Sequence, residues 1–272
     1  MASLPVLGAA MTLDDLERHR NWVFEHQRDL ELQSFVDAEV LAGDWRPLAE
    51  RAKRLLDGHT GRVGIHGPFW GFVIDSRDPD IRAVVARRFE QALDVCETLG
   101  ATHMVVHSPF TTWSYNNLTS NPGEFEAVIE RCHQTMVTAV KRAEDIGCVL
   151  VIENIEDRDP AHRGVLADSF GSKAVAVSID TGHAHYAHGS AGAPPVDYYV
   201  RIAGPRLQHV HLQDADGYAD RHWSLGEGNI HWHSVFAALA DLNSNPRLII
   251  EIKDKSKIPA SAAYLAALGL AL

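Results

Sequence analysis

Residues 149–180 read VLVIENIEDRDPAHRGVLADSFGSKAVAVSID. Two apolar runs, Val149–Glu153 and Val175–Asp180, are short, rich in β-branched residues, and each stops on an acid. Continuous apolar runs of this length read as strands buried on both faces, the kind found in parallel sheets covered by helices. Between them, Pro160 opens a segment long enough for the crossover helix that parallel neighbours require. The unit is strand, helix, strand.

The same alternation extends to both ends of the chain. Strands are predicted at Leu4–Ala9, Asp29–Phe35, Arg62–His66, His103–His107, Val149–Glu153, Val175–Asp180, Leu207–Leu212 and Leu248–Ile252. Helix punctuation falls between them. Thr12 with Asp15 forms a capping-box pattern, and Pro79 opens a helix that Gly100 closes. Pro122 opens the next, which ends near Gly147, and later helices follow Trp45, Pro160, Pro194, Ile230 and Pro259. Eight strand–helix units in 272 residues predict an α/β chain folded as one closed parallel (β/α)8 barrel, residues 1–272 forming a single domain. A doubly wound open sheet shares the alternation but fits eight units in this length less well.

Composition narrows the function. Hydrophobic content of 46% and charged content of 22% are ordinary for a soluble globular protein, and no apolar run approaches a membrane span. The N-terminus MASLPVLGAAMTLDD lacks the basic start of a signal peptide. Cys96, Cys132 and Cys148 show no CxxC spacing and read as reduced core thiols, so a cytoplasmic location is expected. Net charge is −11 and the longest basic cluster is RAKR at 51–54, which argues against a nucleic-acid surface. The sequence leaves homo-oligomerisation open.

In such a barrel, chemistry sits where strands end. The third strand ends on His66, the fourth on His107, the fifth on Glu153, the sixth on Asp180, the seventh on His211 and the eighth on Glu251. Converging carboxylates repel unless cations or protons separate them, so this ring points to a metal centre. His183, three residues beyond Asp180 across a Thr-Gly turn, and Asp220 with His222 on the seventh loop bring the candidate ligands to nine. Asp220 and His222 flank Arg221, so in an extended segment both side chains face one way.

The seventh loop lies within HVHLQDADGYADRHWSLGEGNIHWH, residues 209–233. His209 is expected on the face opposite His211, in the layer between barrel and helices. His185 and His188 read as solvated loop residues, and His231 and His233 as the start of a helix. Gly226-Glu227-Gly228 has neither a preceding strand nor a third glycine, so it is a tight turn rather than a dinucleotide fingerprint. Aromatic side chains share these loops: Phe69, Trp70, Phe72, Trp113, Tyr115 and Trp223. Trp70, Trp113 and Trp223 could wall a pocket for a sugar ring.

The motifs IHGPF (65–69), VVHSP (105–109), VIEN (151–154), SIDTGHA (178–184), HVHLQD (209–214), DRHWSLGEGNI (220–230) and IIEIK (249–253) resemble those of the xylose isomerase-like TIM barrel superfamily. That superfamily includes sugar isomerases and epimerases, inosose dehydratases and endonuclease IV-type apurinic endonucleases, and the resemblance covers nearly the whole chain. It implies a divalent metal (Zn, Mn, Mg or Co) on Glu153, Asp180, His211 and Glu251, as in the isomerases and epimerases. The endonuclease pattern implies up to three ions: His66, His107 and Glu153 for one, the same four residues for the second, and His183, Asp220 and His222 for the third. The DNA-penetrating loops depart from that pattern. VDAEVLAGDW (36–45) carries three acids and no base, and HGPFWGFVIDSRDPD (66–80) has Arg77 as its one base.

The resemblance therefore implies a metal-dependent isomerase or epimerase of a small sugar or keto-polyol, phosphorylated or not, working through a metal-stabilised enediolate. Glu153 and Glu251 would exchange the proton and His183 would orient substrate oxygens. The alternatives are a trinuclear zinc phosphodiesterase acting on abasic DNA and a dehydratase using the same apparatus.

Overall fold

The computed structural model describes residues 4–118 and 120–272. Its strands are β1 (Gly8–Met11), β2 (Leu30–Leu32), β3 (Val63–His66), β4 (His103–His107), β5 (Val149–Glu153), β6 (Val175–Asp180), β7 (Leu207–Leu212) and β8 (Arg247–Ile250). Each pairs in parallel with the next, and β8 returns to β1, closing a (β/α)8 TIM barrel. Among the described residues no helix is long and apolar enough to cross a membrane.

From β4 to β7 the strands occupy the predicted ranges, because each apolar run there is bounded by polar or turn residues. β1 is displaced toward the C-terminus. Pro5 cannot donate to a ladder, and its carbonyl instead accepts from the Leu272 amide at 2.9 Å. The strand starts at Gly8, where a Cβ would lie 2.0 Å from the Asp29 carbonyl oxygen. β2 is shorter than expected, and β8 sits one to two residues earlier.

The capping box is present: Thr12 Oγ1 accepts from the Asp15 amide at 3.2 Å, and the Asp15 carboxylate accepts from the Thr12 amide at 3.3 Å. Gly100 (φ 64°) and Gly147 (φ 70°) close the helices Pro79–Leu99 and Glu124–Ile146 in the left-handed region. One helix, Thr181–Ala191, reads in the sequence as a turn followed by loop. Its TGHAHYAHGSA sequence has no apolar stripe. What starts it is Asp180, whose carboxylate accepts from the His183 amide at 2.7 Å, an N-cap bond worth about 1 kcal/mol. His185 and His188 thus lie on a helix, and His185 Nε2 bonds Asn229 Oδ1 at 2.6 Å.

Register shows the stagger of strands tilted in a closed barrel: His107 pairs with Glu153, Glu153 with Ser178, and Asp180 with His211. Elsewhere in the ladders Glu31 pairs with Gly64, and Ser178 with His209. Val105, Val151 and Ala176 pack together as an apolar cluster, with Val149 against them. The expectation for His209 is corrected here. Residues two apart on a strand share a face, so His209 enters the barrel beneath His211, and both reach Glu31.

Candidate metal centre

Six β-strands, β3 to β8, and the segments after them bring the nine predicted ligands into three adjoining groups: His66, His107 and Glu153; Glu153, Asp180, His211 and Glu251; and His183, Asp220 and His222. Within each group the donor atoms lie within 4.8 Å of one another. Glu153 belongs to two groups. One of its oxygens faces His107 Nε2 at 3.4 Å and His66 Nε2 at 3.8 Å, while the other contacts His211 Nδ1. His211 Nδ1 is also 3.3 Å from Glu251 Oε2. Asp220 joins the third group, 3.4 Å from His183 Nε2 and 3.2 Å from His222 Nε2.

Hydrogen bonds on the far side of each ring decide which nitrogen is free. A carbonyl can only accept, so the ring nitrogen beside it carries the proton. His66 Nδ1 donates to the Gly67 carbonyl at 2.8 Å, His183 Nδ1 to that of Asn154 at 2.9 Å, and His222 Nδ1 to that of Glu251 at 3.1 Å. All three turn Nε2 into the cluster. His211 is reversed: Nε2 donates to Glu31, with both oxygens at 3.1 Å, and Nδ1 faces the carboxylates. The set fits a divalent ion, because ligands bonded at about 2.0–2.1 Å around a tetrahedral ion are roughly 3.3 Å apart.

The seventh loop is built around Asp214, a buried acid at the end of β7. Its carboxylate accepts from the amides of Ala215 (3.0 Å), Gly226 (2.8 Å) and Ile230 (3.2 Å) and from Trp232 Nε1 (3.2 Å). Contrary to the extended segment expected from the sequence, the loop turns sharply between Asp220 and His222. His222 adopts φ 49°, a left-handed conformation held by its amide donating to Gln213 Oε1 at 2.6 Å and its carbonyl accepting from the Lys253 amide at 2.8 Å. Asp220 and His222 converge through that turn. Gln213 Nε2 also donates to Asp180 Oδ1 and to Asp220 Oδ1, both at 3.1 Å, and ties two groups together.

Without a cation, protons perform the neutralisation. Burial opposes it, but Glu251, Glu31 and Glu153 hold the His211 imidazole well above its ordinary pKa. His183 is raised against burial by Asp180 and Asp220, and His222 is raised to about 9 by its Asp220 bond and by Glu251. Asp180 is pushed up to about 6 by burial. His107 is the exception: burial drives it down to about 3, so its ring is neutral.

Above these side chains opens a cavity of about 720 Å³, lined in part by Phe69, Trp70, Ile155, Arg221, Lys253 and Lys255. Of the three tryptophans expected to wall a pocket, Trp70 does so. Trp113 is exposed on the helix Thr112–Leu118, and Trp223 pairs its backbone with Asp214 beneath the Arg221 guanidinium; neither lines the cavity. Sequence reasoning misses Glu31, Gln213 and Lys255. Lys255 Nζ donates to Gln33 Oε1 at 2.9 Å, and Gln33 donates to Glu251. A charged residue inside the apolar β2 run is the available signal for Glu31. Lys255 carries none, because its approach depends on the path taken after β8.

A family profile described as "Xylose isomerase-like TIM barrel" matches residues 28–270. Among characterised relatives, the D-psicose 3-epimerase of Ruminiclostridium cellulolyticum is 26% identical over 200 residues, covering 72% of this chain and 64% of the relative. An uncharacterised protein of Methanocaldococcus jannaschii is 26% identical over 212 residues, 74% of this chain and 67% of its own. The chain thus spans about two thirds of the length of these relatives. In structure, a Thermus thermophilus protein from crystals soaked with ZnCl2 superposes with a TM-score of 0.73 at 24% identity, over 96% of this chain and 97% of that one.

Proposed function

Because the chain belongs to the xylose isomerase-like TIM barrel family, we propose that it is a divalent-metal-dependent isomerase or epimerase of a small sugar or keto-polyol. The observation that carries this reading is the placement of Glu153 and Glu251. Both carboxylates approach the same nitrogen, His211 Nδ1, in one four-residue donor group at the cavity floor. Glu153, Asp180, His211 and Glu251 would hold the ion. When bound, it would supply Lewis-acid polarisation of a substrate carbonyl and its neighbouring hydroxyl.

The chain's own groups do the rest. One glutamate takes the proton from the carbon beside the carbonyl, and the other returns one from the opposite side. Gln33, donating to Glu251, orients that carboxylate and is itself held by Lys255. His183, its ring fixed by the Asn154 carbonyl, offers Nε2 to the cluster or to a substrate oxygen. Trp70 gives the ring an apolar face at the cavity wall. Lys253 and Lys255 on the same wall suit a substrate carrying a carboxylate or phosphate.

The test is incubation of the metal-loaded protein in deuterated water with a panel of ketoses, keto-polyols and their phosphates, followed by NMR. Metal-dependent deuterium entry at a carbon beside the carbonyl is expected. Absence of exchange across the panel, alongside metal-dependent phosphodiester hydrolysis, would replace this reading with the hydrolase one. Nine donors in three groups are the observation favouring that alternative.

A further inference from the structure

Beneath the nine-donor level the barrel interior holds another polar group. Glu31 on β2, His103 on β4 and His209 on β7 are each 0% exposed, and their donor atoms lie within 4.8 Å of one another. Interior positions of such barrels are ordinarily filled by branched apolar side chains. Here space is made for an imidazole instead. A Cβ on Gly64, paired with His103 across the β3–β4 ladder, would lie 2.1 Å from the His103 ring.

The ring is not held by hydrogen bonds. Both His103 nitrogens and His209 Nε2 are buried without a hydrogen-bond partner, a costly and uncommon condition. His209 Nε2 lies 3.1 Å from Glu31 Oε2 but out of line for a hydrogen bond, and His103 Nε2 lies 3.8 Å from the same oxygen. Ligands of one ion are spaced comparably, with donor atoms roughly 3.3 Å apart around a tetrahedral zinc. The outer atoms are already engaged: Ser178 Oγ is 2.8 Å from His209 Nδ1, and His211 Nε2 donates to Glu31. Burial, then the Arg247 charge, keep His103 neutral, the form that can give a lone pair. Arg247 itself is committed to Thr102 Oγ1 at 2.9 Å, toward the N-terminal end of the strands.

We propose that Glu31, His103 and His209 form a separate interior site for a divalent cation. Two imidazoles and one carboxylate suit zinc or cobalt, with a water completing the set. The site shares no residue with the nine-donor centre and goes beyond the proposed activity. Since none of its residues reaches solvent, the ion is taken up as the chain folds.

Crystals of the zinc-loaded protein, measured on both sides of the zinc absorption edge, give the direct test. An anomalous peak bonded to Glu31, His103 and His209 is expected. In solution, His103→Asn and His209→Asn should each lower zinc content by one ion per chain, with folding checked by circular dichroism. No anomalous peak at saturating zinc, or only a water there, would overturn the site, as would unchanged zinc content in both variants. If neither variant folds, the wild-type anomalous map decides alone. Failure of the epimerase reading would leave that peak in place, so the two ideas are separable.

Discussion

His211 bonds through both ring nitrogens, and Glu31 holds the inner one: its carboxylate oxygens each lie 3.1 Å from Nε2. That bond leaves Nδ1 directed at Glu153 and Glu251. A carboxylate behind a ligating histidine fixes its tautomer and raises its basicity, an effect worth about 10–100-fold in metal affinity.

Glu31→Gln keeps the shape of that contact but removes its charge. The metal concentration for half-maximal activity should rise roughly 10- to 100-fold. Titration of metal-stripped protein would measure it, and an unchanged midpoint would mean that β7 alone positions His211.

Glu153→Ala and Glu251→Ala should each lower turnover by at least about 10²-fold, the usual contribution of a positioned acid–base group, and weaken metal binding as well. Deuterium exchange at saturating metal separates the two losses. Retained exchange in either variant would remove that residue from the proton transfer.

The outer groups predict metal number. His107→Ala and His222→Ala each remove a donor from a three-residue group while leaving Glu153, Asp180, His211 and Glu251 complete. Each should reduce zinc content by about one ion per chain, by elemental analysis. Unchanged content would assign these histidines to substrate binding or packing.

Protons and metal compete for the centre. His211 and His183 are held above their ordinary pKa, and His222 at about 9, so at neutral pH the metal-free site carries protonated imidazoles. Metal binding must displace them, and apparent affinity should therefore rise with pH up to about 9. The same raised groups stabilise the metal-free fold below the ordinary histidine pKa, and that stability is lost as pH climbs toward 9. Calorimetry of metal-free and metal-loaded protein across pH would show curves that diverge upward. Parallel curves would indicate that these histidines are neutral before metal arrives.

What the sequence discloses follows from contrast. His66, His107, Glu153, Asp180, His211 and Glu251 are visible because each ends or follows an apolar run. Glu31 sits inside the short Leu30–Leu32 strand, and only its contacts with His209 and His211 across the barrel show what it faces. His209 is misplaced by an error of period, and the helix Thr181–Ala191 is missed because its N-cap is also a predicted ligand. Lys255 reaches the cavity through a loop whose path no local pattern encodes. Residues that act through neighbours on other strands are the ones a linear reading loses.

The rim of the cavity bears on substrate size. The sequence has no long basic stretch, yet Arg221, Lys253 and Lys255 line the opening from two loops. Arg221 is paired with Asp216 at 2.8 Å, and Lys255 is bonded to Gln33, which leaves Lys253 exposed and unengaged by any side chain among the described residues. One or two cations at a 720 Å³ cavity suit a single phosphate or carboxylate on a sugar. A duplex needs many phosphate contacts, each making affinity fall as salt rises. Abasic-site DNA should therefore be left uncut at physiological salt. Lys253→Ala and Lys255→Ala should raise KM for an anionic sugar several-fold more than for its neutral counterpart. Cleavage of abasic DNA that disappears in Glu153→Ala would instead make the acidic loops irrelevant to binding and assign the centre to phosphodiester hydrolysis.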